Sequence, residues 1–367
     1  MSFYAGLDVH SKKIVFEIQD GDGTIVATGE FDSTPDGLEH FLIKHKLPSG
    51  TPVALETGTM AFFVAKQLAG LGLEPVVIDA HEVRIKAHRP TQKSDRRDAH
   101  ELCNGIRVGM YRSIVHIPPK EIQDLRLALS RRRHFVRVAT AQKVAVKTLV
   151  RAAGLGTPVR FLKTEKHWAS LNDVLEGHPD LQRHVEMHRK MHKTALDIVA
   201  ELDQELRALC EPRQNEIKRL QTMPGVGPVV AMTVVATLSD AKRFKGSKPV
   251  ASYLGLVPTT NQSGEHDRQG HITKRGSTEC RAMLIEAAHH ARLPSHPLNP
   301  YFAQICAKRG YKVATAAVAH RMLRILHAML VKQEDFDVNK LRVERGPFVK
   351  TTTRVYRLRP KQNQASA

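Results

Sequence analysis

The chain has 367 residues, 41% of them apolar, which is more than one small core holds, so two or three domains are expected. Its 56 Lys and Arg against 37 Asp and Glu leave a formal net charge of +19, which points to a polyanionic partner whose phosphates those cations would neutralise. No run of about eighteen apolar residues offers a membrane span, the first residues lack the layout of a secretion signal, and Cys103, Cys210, Cys280 and Cys306 show no CxxC spacing, which argues against a zinc ribbon or disulfide framework and fits a reducing cytoplasm.

Residues 1–117 alternate strand and helix signals. FYAGLDVH, KKIVFEIQD and TIVATGEF, the last two divided by a GDG turn, predict three antiparallel strands. TPDGLEHFLIKHK predicts an amphipathic helix capped by Thr34, with Pro35 at its first position. TPVALETG and LEPVVIDA predict short buried strands on either side of the helix AFFVAKQLAGLG. HEVRIKAHRP and KSDRRDAHELCNGIRVG predict helices. The order β-β-β-α-β-α-β-α is an α/β layer arrangement.

Pro118-Pro119 marks an expected boundary, after which residues 118–220 read as a helical, coiled-coil-like region. Residues 126–151 carry eight Lys or Arg and no acid, and a helix so charged calls for a phosphate backbone or an acidic partner along that face. Arg131, Arg132 and Arg133 are its densest cluster. The stretch from Leu181 to Met223 has heptad-like apolar spacing, suited to pairing with this helix or with another subunit. Residues 221–335 form a third expected unit, mostly α-helical, and residues 336–367 a basic tail.

Four acids of the first unit carry the chemistry. Asp8 stands inside an otherwise apolar strand, where an uncompensated charge is costly. Glu56 ends the central strand VALE, and Asp95 and Asp98, i and i+3 on one helix, face the same way. Four carboxylates on three elements can converge above the sheet. An all-oxygen set of this kind suits Mg²⁺ or Mn²⁺ rather than zinc, and two such ions about 3.5–4 Å apart can serve a phosphodiester reaction. Asp95 and Asp98 by themselves are more often a solvated face paired with Arg96 or Arg97, and Glu56 alone reads as a helix cap. Their order in this frame resembles the layout of the RNase H-like fold in its RuvC-type branch, a resemblance that implies a metal-dependent nuclease core.

In the third unit, MPGVGPVVA resembles a helix-hairpin-helix turn, in which Gly225 and Gly227 would bring backbone amides to a DNA phosphate at a helix start. Farther on, HITKRGSTECRAMLIEAA places Ser277 at the N-cap of a helix from about Thr278 to Ala291, behind the cations Lys274 and Arg275. A capping serine accounts for this on physical grounds, contributing about 1 kcal/mol. A nucleophile at a helix start is the sharper alternative.

Taken in order, GLDVHSKK, ALETG, KSDRRDAHEL, the helical middle, MPGVGPVVA and HITKRGSTECRAMLIEAA resemble the insertion-sequence-110 family of DEDD transposases, also called bridge-RNA-guided recombinases. The resemblance runs from residue 3 to about residue 330. It implies an RNA-guided transposase that cuts and rejoins donor and target double-stranded DNA. Asp8, Glu56, Asp95 and Asp98 would hold Mg²⁺, and Ser277 would form a phosphoserine link. It further implies a structured noncoding guide RNA from the element, a homotetramer built as a dimer of dimers with composite sites, and a place in the prokaryotic cytoplasm at the nucleoid. A RuvC-like junction resolvase that uses water as nucleophile is the alternative.

Overall fold

In the computed structural model, which describes residues 2–86, 94–156, 162, 164–263 and 266–341, the chain divides into two compact units, Met1–Pro119 and Lys120–Ala367. The expected basic tail lies outside the described residues from position 342 onward.

The first unit is built on five strands, β1 (Phe3–Val9), β2 (Lys13–Asp20), β3 (Ile25–Asp32), β4 (Pro52–Glu56) and β5 (Glu74–Ile78), in the sheet order β3-β2-β1-β4-β5. β1 and β2 pair antiparallel, as do β2 and β3, whereas β1, β4 and β5 run parallel. The mixed sheet follows from the connections: short turns join the first three strands, while helices carry the chain back to start β4 and β5. Those helices are α1 (Pro35–His45) and α2 (Ala61–Gly70). Thr34 caps α1 by accepting the Gly37 N–H at 3.0 Å, with Pro35 at the first position as expected. α1 and α2 cover one face of the sheet, where Leu38, Phe41, Val64 and Leu68 meet Ala5, Leu7, Phe16, Val53 and Leu55.

α3 (Ala80–Lys86) and α4 (Asp95–Arg107) follow β5. α4 lies on the opposite face, where Leu102 packs with Ala54, Ile78, Val83 and Tyr111. Polar contacts also seat it. His100 Nδ1 lies 2.7 Å from Glu17 Oε1, and Arg107 Nε donates to Gln19 Oε1 at 3.1 Å.

The second unit starts with α5 (Lys120–Ala152), followed by α6 (Glu165–Val174) and α7 (Pro179–Cys210). α5 and α7 pair antiparallel within the chain: Arg132 meets Asp203, His192 Nδ1 lies 2.9 Å from the Ala139 oxygen, and His188 Nδ1 lies 2.7 Å from Gln142 Oε1. One side of the basic helix is therefore paired with α7 of the same chain. Leu125, Ala128, Leu129, Leu206 and Cys210 at the base of the pair join the C-terminal core, and Val146 and Val150 at its far end join a small cluster around Trp168.

The remaining elements are α8 (Gln214–Gln221), α9 (Pro228–Leu238), α10 (Ser247–Tyr253), β6 (Pro258–Ser263), β7 (His266–Ile272), α11 (Thr278–Ala288), α12 (Asn299–Arg309) and α13 (Tyr311–Lys332). Pro212 sits in the 3₁₀ turn Glu211–Arg213 that divides α7 from α8, because proline lacks the N–H a continuous helix needs. The periodic stretch expected from Leu181 to Met223 is thus two helices. The polar stretch ahead of Ser277 folds as the antiparallel hairpin β6–β7. The helical middle and the C-terminal helices share one core, so the boundary expected at residue 220 is not a break in packing.

Candidate metal centre and serine turn

Side-chain alternation along β1 decides what meets α4. Ala5 and Leu7 point to the α1–α2 face, so Gly6 and Asp8 point to the other. Gly6 lets the helix approach closely: a Cβ there would stand 2.2 Å from the Ala99 oxygen and 2.4 Å from the Cys103 nitrogen. That contact holds the first turn of α4, and with it Asp95 and Asp98, over the end of β1.

The result is a cluster. His10 Nε2 lies 3.1 Å from Asp8 Oδ2 and 3.5 Å from Asp95 Oδ1, and donor atoms of Asp8, His10 and Asp95 all fall within 4.8 Å of one another. Burial pushes the Asp8 carboxyl above its ordinary range; His10 pulls it back, and the charges of Asp98 and Asp95 push it further up. Asp98 therefore stands within electrostatic reach of Asp8. Carboxylates that repel one another in this way fit a divalent cation, which would relieve the repulsion.

Glu56 is placed differently. β1 and β4 pair through Leu7 and Leu55, and Asp8 and Glu56 are the next residue on each strand, on the α4 side of the sheet. Glu56 thus shares the strand-end edge with Asp8 but is outside the donor atoms that cluster within 4.8 Å. His10 joins the acids without having been expected. Its signal was its position two residues after Asp8, the spacing that returns a side chain to the same side of an extended chain.

In the second unit Ser277 is the N-cap of α11, and its Oγ accepts the Cys280 N–H at 3.2 Å. α11 ends at Ala288, and a 3₁₀ turn follows it over His289–Arg292. Lys274 and Arg275, both exposed, precede the serine. Glu279, in the first turn of α11, is pushed up in pKa by burial and held down by Arg133 of α5, so Arg133 stands within electrostatic reach of this helix start. Arg131 is exposed, whereas Arg132 is bound to Asp203 of α7. The three arginines are therefore not equivalent.

Gly225 and Gly227 also part ways. Gly225 has φ +83°, and a Cβ there would stand 3.0 Å from the Ala287 oxygen, so the turn itself requires glycine. Gly227, the N-cap of α9, has an ordinary φ of −83° and nothing near the place of a Cβ. Its lack of a side chain leaves the start of α9 open.

A five-stranded mixed sheet with acids at the ends of two parallel strands and on the helix packed above them is consistent with an RNase H-like DEDD domain. Comparison with known proteins agrees. Residues 5–153 match the DEDD transposase model of IS110 elements, and residues 217–303 match the model described as the transposase IS116/IS110/IS902 family. The chain is 25% identical over 276 residues to the transposase for insertion sequence element IS1111A of Coxiella burnetii, covering 73% of this chain and 74% of that one. It is 27% identical over 293 residues to a probable family 20 transposase of Pseudomonas aeruginosa, covering 77% and 84%. A pilin gene-inverting protein of Moraxella lacunata is 28% identical over 147 residues, 38% of this chain and 46% of that one. The chain belongs to the IS110 family of transposases, enzymes that recombine DNA. No described helix is long and apolar enough to cross a membrane.

Proposed function

We propose that this transposase cuts and rejoins donor and target DNA through a phosphoserine intermediate. Asp8, Glu56, Asp95 and Asp98 hold Mg²⁺, which Mn²⁺ can replace, and Ser277 is the nucleophile. The observation that carries the reading is the gathering of Asp8 and Asp95, with Asp98 in electrostatic reach, at the end of the central strand. An ion bound there supplies positive charge against the phosphate oxygens.

The chain's own residues do the rest. Ser277 Oγ attacks a DNA phosphorus; the Oγ–P bond forms as a P–O bond of the strand breaks, and the released sugar hydroxyl takes up the proton that serine gives up. Attack of a sugar hydroxyl on the phosphoserine reverses these steps and reseals the strand without ATP. Lys274 and Arg275 flank the phosphate, and the amides at the start of α11 face the charge that develops on it. Gly225 shapes the turn that brings the open α9 start at Gly227 to a second phosphate. Arg131, Arg132 and Arg133 are assigned to the nucleic-acid face of α5, with the charged ends of Arg131 and Arg133 better placed for it than that of Arg132.

Choice of sequence falls to a structured noncoding guide RNA whose loops pair with both DNAs, while the protein reads backbone and shape. Holding two duplexes together calls for a homotetramer acting at the nucleoid. The family resemblance supports these last assignments.

One observation favours the alternative of a junction resolvase with water as nucleophile: the Ser277 hydroxyl already has a structural use as a helix cap. Incubation of the full chain with cognate DNA, guide RNA and Mg²⁺, followed by denaturing gels, separates the two. A covalent protein–DNA adduct that Ser277→Ala abolishes is the expected result. Free strand ends with no adduct, unchanged in Ser277→Ala, would establish the resolvase instead.

A further inference from the structure

Arg281 is a cation with 7% exposure and no ion pair among the described residues. Burial pushes its pKa below the ordinary value, so the fold carries a cost for keeping it there. What it touches shows why. Its Nη1 donates to the Leu254 oxygen at 3.0 Å and to the Arg275 oxygen at 2.7 Å, and its Nη2 to Thr278 Oγ1 at 3.3 Å. One guanidinium thus joins the end of α10, the turn leading to Ser277 and the first residue of α11.

The two chain segments it joins are already locked together. The Lys274 N–H donates to the Gly255 oxygen at 3.1 Å, and the Thr273 N–H to the Val257 oxygen at 2.9 Å. A Cβ on Gly255 (φ +62°) would stand 2.2 Å from the Arg275 nitrogen, and one on Gly276 (φ +68°) would stand 1.9 Å from the Tyr253 oxygen. Neither glycine can be replaced without parting the segments. Lys274, a residue with a side chain, is held left-handed at φ +57° between them, a conformation that persists only where its surroundings impose it. Capping Ser277 requires none of this, since an N-cap needs only its own turn.

We propose that Arg281 is the positioning residue of the Ser277 turn: its buried guanidinium ties Leu254, Arg275 and Thr278 so that the serine hydroxyl is presented in one fixed place. The role of that hydroxyl as nucleophile rests on the function proposed above; the positioning does not. Lysine keeps the charge but lacks the planar fork that reaches two carbonyls at once.

The test uses the full chain with Arg281→Lys and Arg281→Gln, and two readouts. Backbone hydrogen exchange at residues 273–280 is expected to quicken about tenfold or more in both variants, while the core of α13 keeps its protection. Covalent adduct formation on saturating DNA is expected to slow about a hundredfold, with DNA affinity within about threefold of wild type, since a misplaced nucleophile loses rate before binding. Should Arg281→Gln fail to fold, Arg281→Lys, which retains the charge and one donor group, still decides the matter by exchange. Unchanged exchange at 273–280 in a folded variant overturns the proposal whatever the adduct does. If exchange quickens but even the wild type forms no adduct, the positioning stands and the nucleophile assignment falls.

Discussion

Asp8 is the residue around which His10, Asp95 and Asp98 gather, and its environment sets two opposite expectations. Its pKa is raised, chiefly by burial, with Asp98 and Asp95 adding repulsion against the help of His10. For an acid the sign is clear: the ionised form is penalised in the fold, so stability is lost as pH rises through the raised value. Without a divalent cation, Asp8→Asn is therefore expected to melt at the wild-type temperature or above it. With Mn²⁺ the order reverses. Wild type at about one hundred times its Kd gains about 2.7 kcal/mol, and the variant gains little, because a neutral amide cannot replace the central carboxylate. Thermal melts of both proteins with and without Mn²⁺ make the comparison. Equal cation-induced shifts would remove Asp8 from the donor set.

At the scale of elements, the seating of α4 on β1 decides whether those acids meet. Gly6→Ala would drive a methyl into the Ala99 oxygen and the Cys103 backbone, neither of which is a flexible side-chain end. The expected cost is about 1–3 kcal/mol of stability. The telling effect is a loss of Mn²⁺ response, although Gly6 offers no donor atom; a variant that is merely less stable, with its cation response intact, would show that α4 settles back unchanged. This contact could not be read from GLDVH, since a glycine in a strand says nothing about which helix comes near. Much else was legible. The Thr34-Pro35 helix start, the alternation that makes five strands and the order of the four acids each rest on local pattern. What escaped depended on distant partners or on polar strands. His10 reaches Asp95 across more than eighty residues of chain. The β6–β7 hairpin is made of TTNQS and HDRQGHI, which show no apolar alternation to signal a strand. The periodicity across Pro212 read as continuous because apolar spacing survives the break that the proline makes in the backbone.

For the molecule as a whole, a formal charge of +19 would make nucleic-acid binding a matter of counterion release, and the different surroundings of the three arginines set a different expectation for each. Arg132 is half-buried and committed to Asp203, so its removal breaks the α5–α7 pair and leaves an acid without its partner. Arg131 is exposed, and Arg133 lies near the start of α11, where its charge is felt by Glu279. Each phosphate neutralised adds about 0.9 to the slope of log K against log salt on duplex DNA. The double variant Arg131→Ala, Arg133→Ala is thus expected to reduce that slope by about 2 with no change in melting temperature, as read by fluorescence anisotropy with a labelled duplex at several salt concentrations. Arg132→Ala is expected to do the reverse, lowering the melting temperature while the slope stays near that of wild type. If all three substitutions flatten the slope equally, the Arg132–Asp203 pair opens when DNA arrives and α5 presents its basic cluster as one surface. If none does, the phosphate backbone runs elsewhere on the chain.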